Sequence, residues 1–426
     1  IRPESGIIYD SNFKKLVSNS PAFDLVCDKR NFYEFREEYL KEIDILSKVL
    51  GVKQEELERK ISESSEPNVL ILENITHENL LVLEAKMNDL PDCQIEENTA
   101  RNYAQGRVFS HLLGYISRVS KEDLQGNKSY SASDNSGKAG LENSYEKFLR
   151  GTPGIQEIIK DAFGSKRGDK ILSEPKPGYN LVLNIDANLQ NQVYNSLEKS
   201  IKNLGAKKGA AGALDPRNGA VLAMVSYPAY DNNIFSGRIL QEDFNNLQND
   251  PYQPFFNRAI SAQYPTGSTI KPFLASAALQ ENIISPNKII NDPGYILVKN
   301  QYDPSITYKF GGVIPHGPVD MREAIAVSSN IYFYTIGGGY ENQQGLGPTR
   351  IKKYLDLFGW EEKTGIDLPG EFSGFVPSPE WKQEYKNEGW WDGDTYNLSI
   401  GQSDLQVTPL QVALAYSAIA NGGTLY

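Results

Sequence analysis

The chain reads as an α+β protein of two domains, and three observations predict this. Its 426 residues exceed one ordinary domain, for which about 100–200 residues is the prior. The front part mixes helical periodicity with short apolar runs. The second part carries one strong β-hairpin and then mostly helices and loops. The composition, 39% hydrophobic and 23% charged with no excess of Gly or Pro, is that of a globular chain.

The elements follow in order. Residues 1–60 open with an extended stretch punctuated by Gly and Pro. The spacing then predicts a helix over about 31–50, where Phe35, Tyr39, Ile43, Leu46 and Leu50 recur at intervals of three and four. Gly51 closes it. A second helix is predicted over 54–61. Over 68–100, the apolar runs 69–72 and 80–83 read as mixed strand and helix. Residues 126–140, rich in Gly, Ser, Lys and Asn, read as a loop. Pro175, Pro177 and Gly178 mark a boundary between a front domain, 1–178, and a second domain, 179–426. After it Leu181, Leu183 and Ile185 alternate as in a strand. Asp186 is placed to cap the next helix, which ends near Gly205. Segments 209–214 and 220–226 flank Asp215-Pro-Arg-Asn-Gly219, a strong hairpin signal.

Charge and cysteine content bound the function. The formal net charge of -11 argues against a nucleic-acid partner, which would concentrate Lys and Arg. The two cysteines, Cys27 and Cys93, lie far apart without metal-ligand spacing. A disulfide between them is possible, and two semi-buried free thiols are the expectation. No run of 18 apolar residues is present, so no segment reads as a membrane span. The chain begins at Ile1 rather than Met, which carries the expectation of an anchor or signal segment upstream.

Three residue groups could carry chemistry. The first is Pro265-Thr-Gly-Ser268-Thr-Ile-Lys271-Pro272. Serine and lysine at i and i+3 share one helical face, so an amine can take a hydroxyl proton. The lysine serves as a base only if burial or nearby positive charge lowers its pKa. A helix N-terminus favours the negative charge that develops there. The bare pattern Ser-x-x-Lys is weak, since it also occurs at Ser11, Ser144, Ser173, Ser196 and Ser285. Context selects Ser268: Pro265 and Gly267 set the helix start, and an apolar, Ala-rich run follows.

The second group is Ser328-Ser-Asn330, between two apolar helical segments. Its serine could relay a proton and its asparagine bind a peptide amide, although helix capping explains Ser and Asn as well. Ser133-Asp-Asn135 spells the same pattern in the Gly/Ser loop without a buried helix beside it, and is rejected. The third group, Lys363-Thr-Gly365, is followed by a turn-rich loop rather than set in a strand, and reads as a decoy.

Taken together, Ser268, Lys271, Ser328 and Asn330 resemble the motifs of the penicilloyl-serine transferases. The stretch 265–272 is similar to the class B penicillin-binding protein signature. So are Gly365-Ile-Asp-Leu-Pro-Gly-Glu371, Ser399-Ile-Gly-Gln402, Thr408-Pro-Leu-Gln411 and, upstream, His111-Leu-Leu-Gly-Tyr115 and Gly140-Leu-Glu142. Asp292-Pro-Gly294, His316-Gly317 and Glu380-Trp-Lys382 resemble the elongation-type subgroup, penicillin-binding protein two. The resemblance implies a β-lactamase-like α+β domain with helices around a mainly antiparallel sheet, on an N-terminal α+β pedestal that serves dimerisation. It implies a D-Ala-D-Ala transpeptidase that cross-links peptidoglycan stem peptides through an acyl-serine and is acylated by β-lactams. Ser268 would be the nucleophile, Lys271 its base, Ser328 the proton relay and Asn330 the group orienting the donor peptide. The Ser268 backbone N–H would hold part of the oxyanion, where losing one donor costs about 2.7–4 kcal/mol. The location implied is a single-pass anchor in the bacterial inner membrane with an extracytoplasmic catalytic domain, and the partner a membrane glycosyltransferase of the elongation machinery. The family's third motif, Lys-Thr-Gly on a strand after Asn421-Gly-Gly423, is absent, so C-terminal strands and roughly 100 further residues are expected beyond Tyr426. No cofactor is expected, and no metal, because His316 and the nearby aspartates have no cysteine partner. A β-lactam sensor or a noncatalytic penicillin-binding scaffold is the alternative reading.

Overall fold

The computed structural model describes residues 1–29, 36–64, 67–126, 130, 134–160, 166–237, 239, 241–300 and 303–426. The chain forms two compact units. One comprises Ile1–Tyr194, Pro228–Phe255 and Asp367–Pro369; the other comprises Asn195–Tyr227, Phe256–Ile366 and Gly370–Tyr426. Among the described residues every strand pairing is antiparallel except that of Ile8–Tyr9 with Leu181–Val182.

The first unit is organised by one long strand, Lys15–Asp28. It pairs along most of its length with Cys93–Tyr103, from Val17 opposite Tyr103 to Cys27 opposite Cys93. Asn68–Leu72 adds to its far end and Ile8–Tyr9 to its near end. Helices Arg36–Leu50, Gln54–Glu63 and His77–Lys86 cover the far end. Their stripes supply Ile43, Leu46, Leu57, Ile61 and Leu83 to a core shared with Leu25 and Ile71 of the sheet. The expected helices over 31–50 and 54–61 are these first two, and residues 31–35 lie outside the described residues. Gly51 adopts φ +65°, a left-handed value that lets a glycine end the first helix without strain.

Two expectations need correction here. Cys27 and Cys93 are joined as a disulfide rather than held as free thiols. The reason is register: the antiparallel pairing sets the two residues directly opposite each other, with Cα atoms 3.9 Å apart. A separation of 66 residues gives no hint of that pairing. The Gly/Ser-rich stretch 126–140 is not all loop either, because Asn135–Gly137 pairs with Ile116–Arg118 as a short ribbon. Residues 127–129 and 131–133, including Ser133, lie outside the described residues.

The second unit contains the expected hairpin, Gly209–Leu214 with Val221–Tyr227. Asp215 closes its turn by accepting the Arg217 backbone N–H at 2.9 Å, and Gly219 supplies φ +74°. Helix Pro409–Ala420 packs on this hairpin. It starts with a cap in which Thr408 and Gln411 satisfy each other's backbone N–H groups. The almost wholly buried helix Asn330–Gly338 and the largely buried helix Lys271–Gln280 form the centre of the core, flanked by Gly347–Leu357 and Asp392–Ser399. Two short ribbons were not legible in the sequence: Ile290–Asp292 with Gly317–Val319, and Tyr295–Lys299 with Thr307–Gly311.

Candidate active site

The turn before the first central helix carries Ser268. A 3-10 segment, Gly267–Ile270, leads directly into Lys271–Gln280, and the Lys271 backbone N–H closes onto the Ser268 carbonyl. Pro272 falls in the first helical turn, where it loses no hydrogen bond. Ser268 is exposed, whereas Lys271 is 1% exposed. The i,i+3 spacing thus sets an accessible hydroxyl one turn from a buried amine.

That amine is held on all sides. Its Nζ donates to the Ser328 carbonyl at 2.7 Å, to Ser328 Oγ at 3.0 Å and to Asn330 Oδ1 at 2.8 Å. Burial pushes the Lys271 pKa down to about 8, and the Asp292 carboxylate partly opposes the shift. The first two sequence motifs therefore meet at Lys271. The Ser-x-Asn turn lies between helices Met321–Ala326 and Asn330–Gly338, and Ser328 adopts φ +57°. A non-glycine residue there is strained, and such strain persists where the surroundings over-determine it.

Sequence reasoning did not foresee what holds this turn. Ser329, not Ser328, caps the second helix by accepting the Tyr332 N–H at 3.1 Å. The Ser329 hydroxyl then donates to Asp292 Oδ2 at 2.6 Å. Asp292 is 1% exposed and also takes the Gly294 N–H at 2.8 Å and a contact from His316 Nδ1 at 2.8 Å. In the sequence Asp292 and His316 carried the subgroup resemblance, and His316 the expectation of no metal, but no contact between them. Their meeting depends on the ribbon that sets Asp292 opposite Gly317, and no local signal encodes that pairing. Among the described residues no group of three or more His, Cys, Asp or Glu side chains converges as a metal site would require.

The Ser268 turn has a second support. The Gly267 N–H donates to the Gly401 carbonyl at 2.8 Å. A Cβ on Gly401 would lie 2.1 Å from the Gly267 carbonyl and 2.4 Å from Thr266 Oγ1, and its φ is +72°. Only glycine fits this close approach. Tyr416 of helix Pro409–Ala420 adds a hydrogen bond to the Thr269 carbonyl at 2.9 Å. Lys363-Thr-Gly365 lies in a loop, where the Thr364 hydroxyl and N–H are both spent on Glu371 at 2.5 and 2.7 Å.

An exposed serine at a helix start, next to a buried lysine with a lowered pKa and a Ser-x-Asn turn, is an arrangement that can support acyl transfer to the serine. The comparisons narrow this: the chain belongs to the penicillin-binding protein family. Residues 209–426 match the penicillin binding protein transpeptidase domain, and residues 1–183 the penicillin-binding protein dimerisation domain. A protein of Acinetobacter baumannii named peptidoglycan D,D-transpeptidase MrdA is 34% identical over 99% of this chain and 61% of its own length. Its namesake in Haemophilus influenzae is 33% identical over 99% of the chain and 63% of its own length. The chain thus spans less than two thirds of these relatives. The structure of penicillin-binding protein PBP2 in complex with MreC from Helicobacter pylori superposes with a TM-score of 0.85 at 30% identity, over 99% of this chain and 77% of that one. A chain from a peptidoglycan synthase complex that coordinates polymerization and crosslinking gives a TM-score of 0.74 at 27% identity, over 99% of this chain and 70% of that one.

Proposed function

We propose that this chain is the part of a class B penicillin-binding protein, of the elongation type, that carries serine D,D-transpeptidase chemistry. The supporting observation is the Lys271 amine, buried and bound to both Ser328 and Asn330 within one helical turn of exposed Ser268. Ser268 Oγ attacks the penultimate carbonyl of a stem peptide ending in D-Ala-D-Ala, and the neutral Lys271 amine takes its proton. The Ser268 N–H holds part of the oxyanion. The amide C–N bond breaks, and Ser328, hydrogen-bonded to Lys271, relays the proton to the leaving D-Ala amine. Asn330 spends Oδ1 on Lys271 and turns its amide nitrogen to the donor peptide. The amine of a neighbouring stem then attacks the acyl-serine ester and releases Ser268. A β-lactam acylates the same serine.

On this reading residues 1–178 are the pedestal and 179–426 the transpeptidase domain. The setting is the outer face of the bacterial inner membrane, with a membrane glycosyltransferase of the elongation machinery as partner. Support comes from kinship with MrdA and PBP2, not from a membrane segment: among the described residues no helix is long and apolar enough to cross a membrane. The test is fluorescent-penicillin labelling of the full-length protein. Ser268→Ala is expected to abolish covalent labelling with the melting temperature unchanged. Persistent labelling, mapped by mass spectrometry to another serine, would overturn the assignment.

A further inference from the structure

In the second compact unit, the ribbon of Tyr295–Lys299 with Thr307–Gly311 sets Ile296 opposite Phe310 and Val298 opposite Tyr308. Opposed and alternate residues point the same way, so these four side chains share one face of the ribbon. The face starts in the core, where Ile296 is 2% exposed, and runs out to solvent at Tyr308. Between it and the start of helix Asp392–Ser399 lies a cavity of about 560 Å³. Phe310, Tyr308 and Trp391 supply aromatic walls, and Lys299, Asp303 and Asp392 charged ones.

The aromatic walls are held in place. Phe310 packs against Tyr396 and Tyr334, with ring centroids 4.9 and 6.0 Å apart. The Asn300 amide donates to the Tyr308 hydroxyl at 3.1 Å, and its oxygen takes the Asp303 N–H at 3.0 Å. The Trp391 N–H donates to Asp394 Oδ2 at 2.7 Å, and the same carboxylate oxygen lies 2.7 Å from Lys382 Nζ. The two outer rings are nonetheless open to a ligand, with Trp391 49% and Tyr308 48% exposed. Large rings on a fixed backbone lose little freedom when a ligand packs on them.

Charge narrows the occupant. Lys299 opposes a cation, and Asp303 and Asp392 oppose an anion. The walls therefore suit a neutral molecule with an apolar face for the rings and a polar edge for the ammonium and carboxylates. A pyranose has that form, with C–H bonds on its faces and hydroxyls around its edge. Reach points the same way. Helix Asp392–Ser399 runs from the cavity toward Gly401, whose carbonyl takes the Gly267 N–H at 2.8 Å, one residue from Ser268. Such a helix spans about 12 Å. Four extended residues, the stretch of a stem between its sugar and the attacked carbonyl, span at most about 14 Å. Building on the transpeptidase reading, we propose that this cavity is a glycan subsite. It takes one uncharged N-acetylhexosamine ring of the strand that carries the stem peptide, with the apolar face of the sugar on Trp391 and Tyr308 and its polar edge on Lys299, Asp303 and Asp392.

The test titrates full-length protein with the peptide-free tetramer of N-acetylglucosamine, read by calorimetry and by tryptophan emission, and in parallel with a soluble, sugar-free stem pentapeptide. The tetramer should bind saturably and shift the emission. Trp391→Ala and Tyr308→Ala should each weaken it about tenfold, with the fold intact in a thermal melt, while Trp391→Phe keeps the affinity within about threefold. No saturable binding of the tetramer, or equal affinity in all three variants, would overturn the proposal. So would a pentapeptide that binds where the tetramer does not and loses affinity in Trp391→Ala, since the cavity would then be a peptide subsite. Penicillin labelling of the unaltered protein keeps the two levels apart. Labelling at Ser268 without tetramer binding refutes the subsite alone, whereas labelling at another serine refutes the reading on which it rests.

Discussion

Two buried cations of this chain stand in opposite conditions. The ammonium of Lys271 has three oxygen acceptors within 3.0 Å. The guanidinium of Arg101 is nearly as buried, yet one of its nitrogens meets no partner among the described residues. Both lie in a medium where an unpaired polar group is costly. A closed polar network fixes one geometry, which suits a base that must meet one hydroxyl. The open network around Arg101 is walled in by packing, and its unpaired nitrogen keeps that cost. The contrast separates a preorganised amine from a guanidinium that is merely buried, and it can be tested by disturbing the closed network.

The largest effect is expected at Lys271 itself. Lys271→Arg keeps the positive charge but replaces a group that can deprotonate near neutrality with one that cannot. Acylation by penicillin should fall by orders of magnitude, measured as the second-order rate in full-length protein. A thermal melt separates this from misfolding, because a guanidinium is bulkier than the ammonium it replaces. Near-normal acylation would assign the base elsewhere and remove the reason for the closed network.

The difference between the two sites also explains what could be read from sequence. The Ser268–Lys271 turn was legible because its signal is local: the two residues are three apart, and Pro265 and Gly267 set the helix start within the same octet. The Ser-x-Asn turn was legible as a turn between apolar helices. The capping role expected of it falls on Ser329, and the strained φ of Ser328 had no sequence signature. The hairpin at Asp215–Gly219 announced itself through turn chemistry. By contrast, Asp292 reaches Ser329 across 37 residues, and the disulfide joins residues 66 apart. The cavity draws its wall from a ribbon and a helix spread between Val298 and Asn397. Strand register creates all three, and one-sequence reasoning does not supply register.

A smaller effect should come from the backbone that supports the Ser268 turn. Gly401→Ala forces a Cβ into the Gly267 carbonyl and Thr266 Oγ1, and imposes a left-handed φ on alanine. The Ser268 turn must shift. Acylation should drop about 10- to 100-fold, as a misplacement near 1 Å does, with a lower melting temperature. An unchanged acylation rate would show that the turn is held by its own helix and not by Gly401.

The smallest and most specific effect concerns Asp292, which touches the closed network without belonging to it. Lys271 accepts the Ser268 proton only as the free amine. With its pKa near 8 rather than the ordinary 10.5, acylation should rise with pH and level off above about 8. The Asp292 carboxylate raises that pKa, so removing its charge should lower it. Asp292→Asn is therefore expected to move the midpoint of the pH–rate profile below 8, toward acid, while Lys271 keeps its three acceptors. The same change gives the Ser329 hydroxyl and the Gly294 N–H an uncharged oxygen and brings an amide N–H among donors. Stability should fall by about 1–3 kcal/mol. The two readouts move independently: a merely structural Asp292 lowers the melting temperature and leaves the midpoint in place. Because Lys271 is protonated below its pKa, the sign is fixed. A midpoint that stays near 8 or moves to higher pH would show that Asp292 is not electrostatically coupled to the amine.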